Sequence, residues 1–259
     1  MSNTIFKSSI WLETLDEKSS YSEKFKEEVE ILRSSFKDIR KKAEVIAGQI
    51  NESQPGLTLH DISHLDSLWE TAHTIAGQDL KLNPIEAYIF GCSVLFHDLG
   101  MALVLWDENL EQLKKSDEYS DLAFELYKRK LQRKPTEKEL ETIPDDIGKA
   151  TLYARLRDLH AFKAKELPLK SWHLKKDTIF LIESSDLCNK LGSKIGLIAE
   201  SHWWNVDDIR TFFRSQIISP SPTSFPKEWT INNIKLACLL RLADFIHIDD
   251  RRAPSLQYA

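Results

Sequence analysis

The stretch Asn83-Pro-Ile-Glu-Ala-Tyr-Ile-Phe-Gly-Cys-Ser-Val-Leu-Phe-His-Asp-Leu-Gly100 decides how the rest of the chain is read. Asn followed by Pro is a helix start: the Asn side chain can cap the first turn, and proline's missing N–H and fixed φ suit the first helical position. From Ile85 to Leu99 the pattern is apolar nearly all round, with Ile89, Phe90, Val94, Leu95 and Phe96 covering every face. A helix without a polar face has nothing to offer water, so these residues predict a helix through the middle of the fold. It ends on the adjacent metal-ligand types His97 and Asp98, just before Gly100.

Working outward, Phe25, Val29, Leu32, Phe36, Ile39, Ala43, Ile46 and Ile50 recur in alternating steps of four and three, the apolar stripe of a long amphipathic helix. Its other face, with Lys26, Glu28, Lys37, Arg40 and Lys42, reads as solvated surface. Pro55-Gly56 breaks this helix. Leu65, Leu68, Trp69, Ala72, Ile75 and Ala76 mark the next, which Gly77 can end. Residues 107–149 turn highly charged and read as a helical insertion at the surface. Helical patterns resume over Ala150 to Leu167, Thr178 to Glu200 and Val206 to Ile217. A proline-rich loop follows over Ser219 to Pro226, and a last buried helix runs from about Asn232 to Ile248. No repeat is evident and no convincing period-two alternation, so strands are at most a minor element.

The 259 residues, 42% hydrophobic and 29% charged, suit one globular domain with an insertion. The net charge of −5 gives no global attraction to nucleic acid or to an anionic membrane. Cys92, Cys188 and Cys238 lack the close spacing of a structural zinc site, and a reduced, cytoplasmic setting is the simpler reading. No segment has the roughly 18 uncharged apolar residues that a membrane span needs.

Beyond the doublet, the metal-ligand types are spread along the chain: His60 and His64 four residues apart, then His160, His202 and Asp244. Imidazoles and carboxylates without thiolates suit manganese, iron, cobalt, zinc or magnesium, and a carboxylate can bridge two ions, which makes Asp98 the candidate bridge. Two divalent cations offset by two carboxylates leave a positive site, which matches a phosphate ester or anhydride. The partial negative charge at a helix C-terminus favours a cation near His97 and Asp98 by roughly 0.3–1 kcal/mol.

The segment Thr58-Leu-His-Asp-Ile-Ser-His64, the run Leu95-Phe-His-Asp-Leu-Gly100 and the run Leu239-Leu-Arg-Leu-Ala-Asp244 resemble the HD superfamily of metal-dependent phosphohydrolases. Arg157-Asp-Leu-His160 and Glu200-Ser-His202 resemble its branch found next to Hsp90-like ATPase domains. The likeness spans about Leu59 to Pro254. It implies an all-α fold, an HD-domain helical bundle, as a single metal-binding domain over residues 1–259 with a leader at 1–20. It also implies one or two divalent ions: His64, His97, Asp98 and Asp244 would hold one, and Asp98, His160 and His202 the second. A water or hydroxide bridging two such ions is nucleophilic near neutral pH. In the cyclic-nucleotide phosphodiesterase branch, a His four residues before the first ligand protonates the leaving oxygen. The resemblance carries that general-acid role to His60, which shares a face with His64 if the segment is helical.

The function so implied is a phosphohydrolase or phosphodiesterase acting on a phosphorylated small molecule, a nucleotide or a relative. Two other classes share the same residues. One is a regulatory module that binds metal or nucleotide and gates an ATPase domain following Gln257-Tyr-Ala259 in a longer chain; the other is a di-iron oxygenase. Among neighbouring residues, Arg155, Arg157 and Lys163 have spacings that can reach a phosphate, Arg157 first among them, although a solvated helix face accounts for each as well. Asp61 reads as a helix cap and Arg241 as the partner of an internal carboxylate. Trp203-Trp204 can stack on a base, although such a pair after a helix is more often core or partner surface. His73, His173 and His247 match no motif position and receive no role.

Overall fold

The computed structural model describes residues 4–53, 60–77, 80–107, 109–174 and 177–247. The helix break expected at Pro55-Gly56, the motif residues Thr58 and Leu59, the side chain of His173 and everything after His247 lie outside the described residues.

Among the described residues the architecture is all-α. Two short helices, α1 (Ser9–Thr14) and α2 (Ser20–Lys24), lead into the long α3 (Lys26–Ser53). The leader is part of the core, with Ile5, Trp11 and Leu15 buried. The stripe of α3 is buried as its period predicts, from Val29 through Phe36 and Ala43 to Ile50. One residue on its opposite face departs from the solvated reading. Arg40 is 7% exposed and grips Asp66 of α4 (Ile62–Ala76), with Nε 2.8 Å from Oδ1 and Nη2 2.5 Å from Oδ2. A planar guanidinium matched to a carboxylate can be buried because both charges keep their partners.

Helix α5 (Pro84–Phe96) is the central element, and all of its residues are buried. Asn83 and Glu86 close a capping box at its start. Glu86 also accepts from the backbone N–H of Asn232 at 2.9 Å and from Lys235 Nζ at 2.7 Å, tying this end to the start of α13 (Asn233–Ile246). Short 3-10 turns at Leu99–Met101 and Leu103–Trp106 follow the doublet. The charged region then forms α6 (Leu110–Lys114), α7 (Asp117–Leu131) and α8 (Glu137–Leu140). The next helix, α9, runs unbroken over Asp145–Glu166, so the last residues of the charged segment belong to the helix that carries His160.

Thr178 does not open a helix. Strand β1 (Ser171–Leu174) pairs antiparallel with β2 (Asp177–Phe180), Trp172 opposite Ile179. Cross-strand pairing of aromatic and β-branched residues overrides the local helical spacing there. Helical structure resumes with α10 (Ser185–Leu187), a π-turn over Cys188–Gly192 and α11 (Ser193–Ser201). Helix α12 (Val206–Phe213) stops short of the expected Ile217, and β3 (Ile218–Ser219) pairs with β4 (Ile231–Asn232) just before α13. The three cysteines are free thiols, and no helix among the described residues is long and apolar enough to cross a membrane.

Candidate metal centre

Five segments converge at the C-terminal end of α5. Asp61 caps α4, accepting from the backbone N–H groups of Ser63 at 2.9 Å and His64 at 3.3 Å, so the cap reading holds for it. His60 therefore stands before the helix and not on its face. It nonetheless turns inward, 7% exposed, with Nε2 3.7 Å from Asp98 Oδ2. His64, on the first turn of α4, is fully buried.

Close backbone approaches bring in α9 and α11. A Cβ on Gly100 would fall on the carbonyl of His160, and one on Gly196 would fall on the carbonyl of Lys165, so only glycine lets these segments touch. Ser93 of α5 donates to the carbonyl of Ile195 at 3.0 Å, and the Trp106 indole donates to the carbonyl of Gly100 at 2.7 Å. These bonds place His160 and His202 beside the doublet.

The carboxylate of Asp98 faces two ways. Its Oδ2 lies 3.1 Å from His97 Nε2 and 3.7 Å from His64 Nε2; its Oδ1 lies 3.6 Å from His160 Nε2 and 3.9 Å from His202 Nε2. Asp244, from α13, sets Oδ1 3.7 Å from His64 Nε2 and 3.8 Å from His97 Nε2. Two donor sets result, His64, His97, Asp98 and Asp244 in one and Asp98, His160 and His202 in the other, each with its donor atoms within 4.8 Å of one another. They share Asp98.

The ring orientations follow one rule at three of the four imidazoles. His97 Nδ1 bonds the carbonyl of Val94 at 2.7 Å, His202 Nδ1 that of Ala199 at 2.6 Å, and His160 Nδ1 that of Arg157. A carbonyl only accepts, so each Nδ1 carries the hydrogen and each Nε2 points inward. His97 Nε2 is buried without a hydrogen bond. A buried donor atom in that position, with carboxylates and imidazoles around it, fits a cation.

The electrostatics agree. Burial opposes charge on His97, yet Asp98 and Asp244 outweigh it and push its pKa up to about 10. Burial likewise opposes ionisation of Asp98, but the neighbouring imidazoles, the His97 charge first among them, hold its carboxyl well below the usual range. Burial, aided by the His97 charge, pushes His202 down to about 3, and burial lowers His160 as well. The first set thus holds positive charge against its carboxylates even without an ion, while the second presents neutral imidazoles.

Around the centre, Arg157 lies exposed on α9, and its charge is felt at His160. Arg155 pairs with Asp158 at 3.3 Å. Lys163 does not face the donors: it is 4% exposed, its Nζ 4.6 Å from the Trp106 ring centroid and 4.4 Å from that of Trp172. Among the described residues Arg241 has no internal carboxylate as partner. Its Nη1 donates to the carbonyls of Ser201 at 2.9 Å, His202 at 3.0 Å and Trp204, closing the C-terminal end of α11 where carbonyls lack helical partners. The tryptophan pair splits: Trp204 packs on Phe212 and Phe213, while Trp203 is 53% exposed and edge-on to His160 at 4.9 Å.

Two participants escaped the sequence reading, Ser67 and His247. His247 Nδ1 lies 2.9 Å from His64 Nδ1, and its Nε2 lies 2.8 Å from Ser67 Oγ. The available signal was weak: His247 follows Asp244 by one helical turn.

A family model described as HD-CE matches residues 54–259. No curated protein and no solved structure matches the chain.

Proposed function

The chain belongs to the HD-CE family, and on that footing we propose that it is a metal-dependent phosphohydrolase or phosphodiesterase acting on a nucleotide or a related phosphorylated compound. The observation that carries this reading is the two-sided carboxylate of Asp98, with one oxygen toward His64 and His97 and the other toward His160 and His202. His64, His97, Asp98 and Asp244 would hold one divalent cation, and Asp98, His160 and His202 a second. Cations bound there would supply a nucleophilic water near neutral pH and offset charge on the attacked phosphate.

The remaining work falls to the chain itself. His60, buried next to Asp98 but outside both donor sets, is the group to hold a proton at Nε2 for the leaving oxygen. Arg157 offers a planar guanidinium to phosphate oxygens from the exposed side of α9, and the exposed indole of Trp203 offers a face for a base. The likeness of Arg157–His160 and Glu200–His202 to units adjoining Hsp90-like ATPase domains makes such an ATPase the partner we propose.

Elemental analysis of protein purified without chelator, followed by a nucleotide and phosphodiester panel with each candidate metal, tests the reading. Turnover with manganese or cobalt is expected, and His60→Ala should retain metal while losing roughly 10²–10⁴-fold in rate. Iron with oxygen consumption would replace hydrolysis by oxygenase chemistry. Nucleotide binding without turnover would make the chain a regulatory module.

A further inference from the structure

His64 differs from the other three imidazoles of the donor sets: its Nδ1 meets a second histidine ring where theirs meet the carbonyl three residues earlier. That ring is His247, 3% exposed, at the C-terminal end of α13. The hydrogens along this contact can be assigned from the far end. Ser67 Oγ donates its one hydrogen to the carbonyl of His64 at 2.6 Å, so toward His247 it can only accept. His247 Nε2, 2.8 Å away, must therefore carry a hydrogen. In neutral His247 the lone pair then sits on Nδ1, which accepts from His64 Nδ1–H across 2.9 Å. His64 is left with its lone-pair nitrogen, Nε2, facing Asp98 and Asp244, each at 3.7 Å.

We propose that His247, anchored by Ser67, is a positioning residue that fixes the tautomer and ring orientation of His64 and so preorganises the first donor set for a divalent cation. The proposal rests on the metal-site reading above. Its second consequence is geometric. His247 follows Asp244 by three residues, and its backbone N–H still bonds the carbonyl of Ala243 at 3.0 Å. Docking of its ring between His64 and Ser67 therefore also holds the end of α13 against α4, keeping Asp244 in register with His64. Outer partners of this kind are typically worth roughly 10–100-fold in metal affinity, because they remove the freedom of the ligand ring to turn its donor atom away.

Zinc affinity by chelator competition, measured on the full chain and on His247→Phe, His247→Asn and Ser67→Ala, tests this. His247→Phe should weaken zinc by roughly 10–100-fold. His247→Asn, whose carbonyl oxygen can accept from His64 Nδ1–H, should recover most of that loss, and Ser67→Ala should fall between. Heteronuclear NMR of the histidine rings in the unaltered zinc-loaded and zinc-free chain should find His64 protonated at Nδ1 and His247 at Nε2 only. His247→Phe binding zinc as tightly as the unaltered chain, His247→Asn as weak as His247→Phe, or His247 protonated at Nδ1 would each overturn the proposal. If His247→Phe does not fold, Ser67→Ala and the ring spectra decide. An unaltered chain that binds no zinc or manganese sinks the phosphohydrolase reading, while the zinc-free ring spectra still judge His247.

Discussion

The carbonyl of His160 lies against Gly100 so closely that no side chain fits between them. This contact joins the turn after the His97-Asp98 doublet to the helix that brings one imidazole of the second donor set. Gly100→Ala must push the two apart. We expect it to cost about 1–3 kcal/mol in denaturant unfolding, the usual range for overpacking, and to lower the metal-to-protein ratio. Unchanged stability with full metal content would mean that the backbone there yields freely.

Because Asp98 is common to both donor sets while His160 and His202 belong to one, their replacements should differ. Asp98→Ala is expected to remove all bound divalent metal. His160→Ala or His202→Ala should leave one ion per chain where the unaltered protein holds two. Metal analysis after gel filtration reads this, and an Asp98→Ala protein with full metal content would contradict the bridging assignment.

Metal uptake should release protons, and mainly from one ring. His97, with its pKa pushed up to about 10, carries a proton at neutral pH in the metal-free protein, whereas His202, pushed down to about 3, carries none to lose. A cation must displace the His97 proton. Apparent affinity at the first set should therefore rise with pH, roughly tenfold per unit below that pKa, and level off above it. Titration calorimetry in buffers of differing ionisation enthalpy counts the protons, and zero release at pH 7 would rule out a charged His97.

Arg40 and Asp66 form a buried pair, 8% and 2% exposed at their side chains. Burial pushes the Asp66 carboxyl up despite the arginine, so it tolerates poorly the loss of its partner. Arg40→Met should destabilise the fold by roughly 3–5 kcal/mol, and combining it with Asp66→Leu should restore much of that. Chemical denaturation of the single and double variants decides; an additive double variant would show that the pair is not coupled.

Features encoded by neighbouring residues could be read directly from the chain. The stripe of α3, the uniformly apolar α5, the Asn83 start, the Asp61 cap and the Gly77 stop all depend on positions within a turn or two of each other, where local sterics and periodicity dominate. The types and order of the candidate donor residues were equally legible, because chemistry is carried by residue identity.

Contacts over long sequence separations were not. Thr178 entered a strand because Trp172 and Ile179 meet across a hairpin, Arg40 left the solvated face because Asp66 lay opposite, and Arg241 found three carbonyls instead of a carboxylate. His247 had no motif to mark it, and only the docking of α13 on α4 set it against a ring 183 residues away. The sequence by itself thus determined most of the helices and the inventory of candidate donor groups. The tertiary structure alone decided which oxygen of Asp98 faces which imidazoles and which atoms fix those rings, since a side chain's direction depends on partners that packing brings together from distant segments.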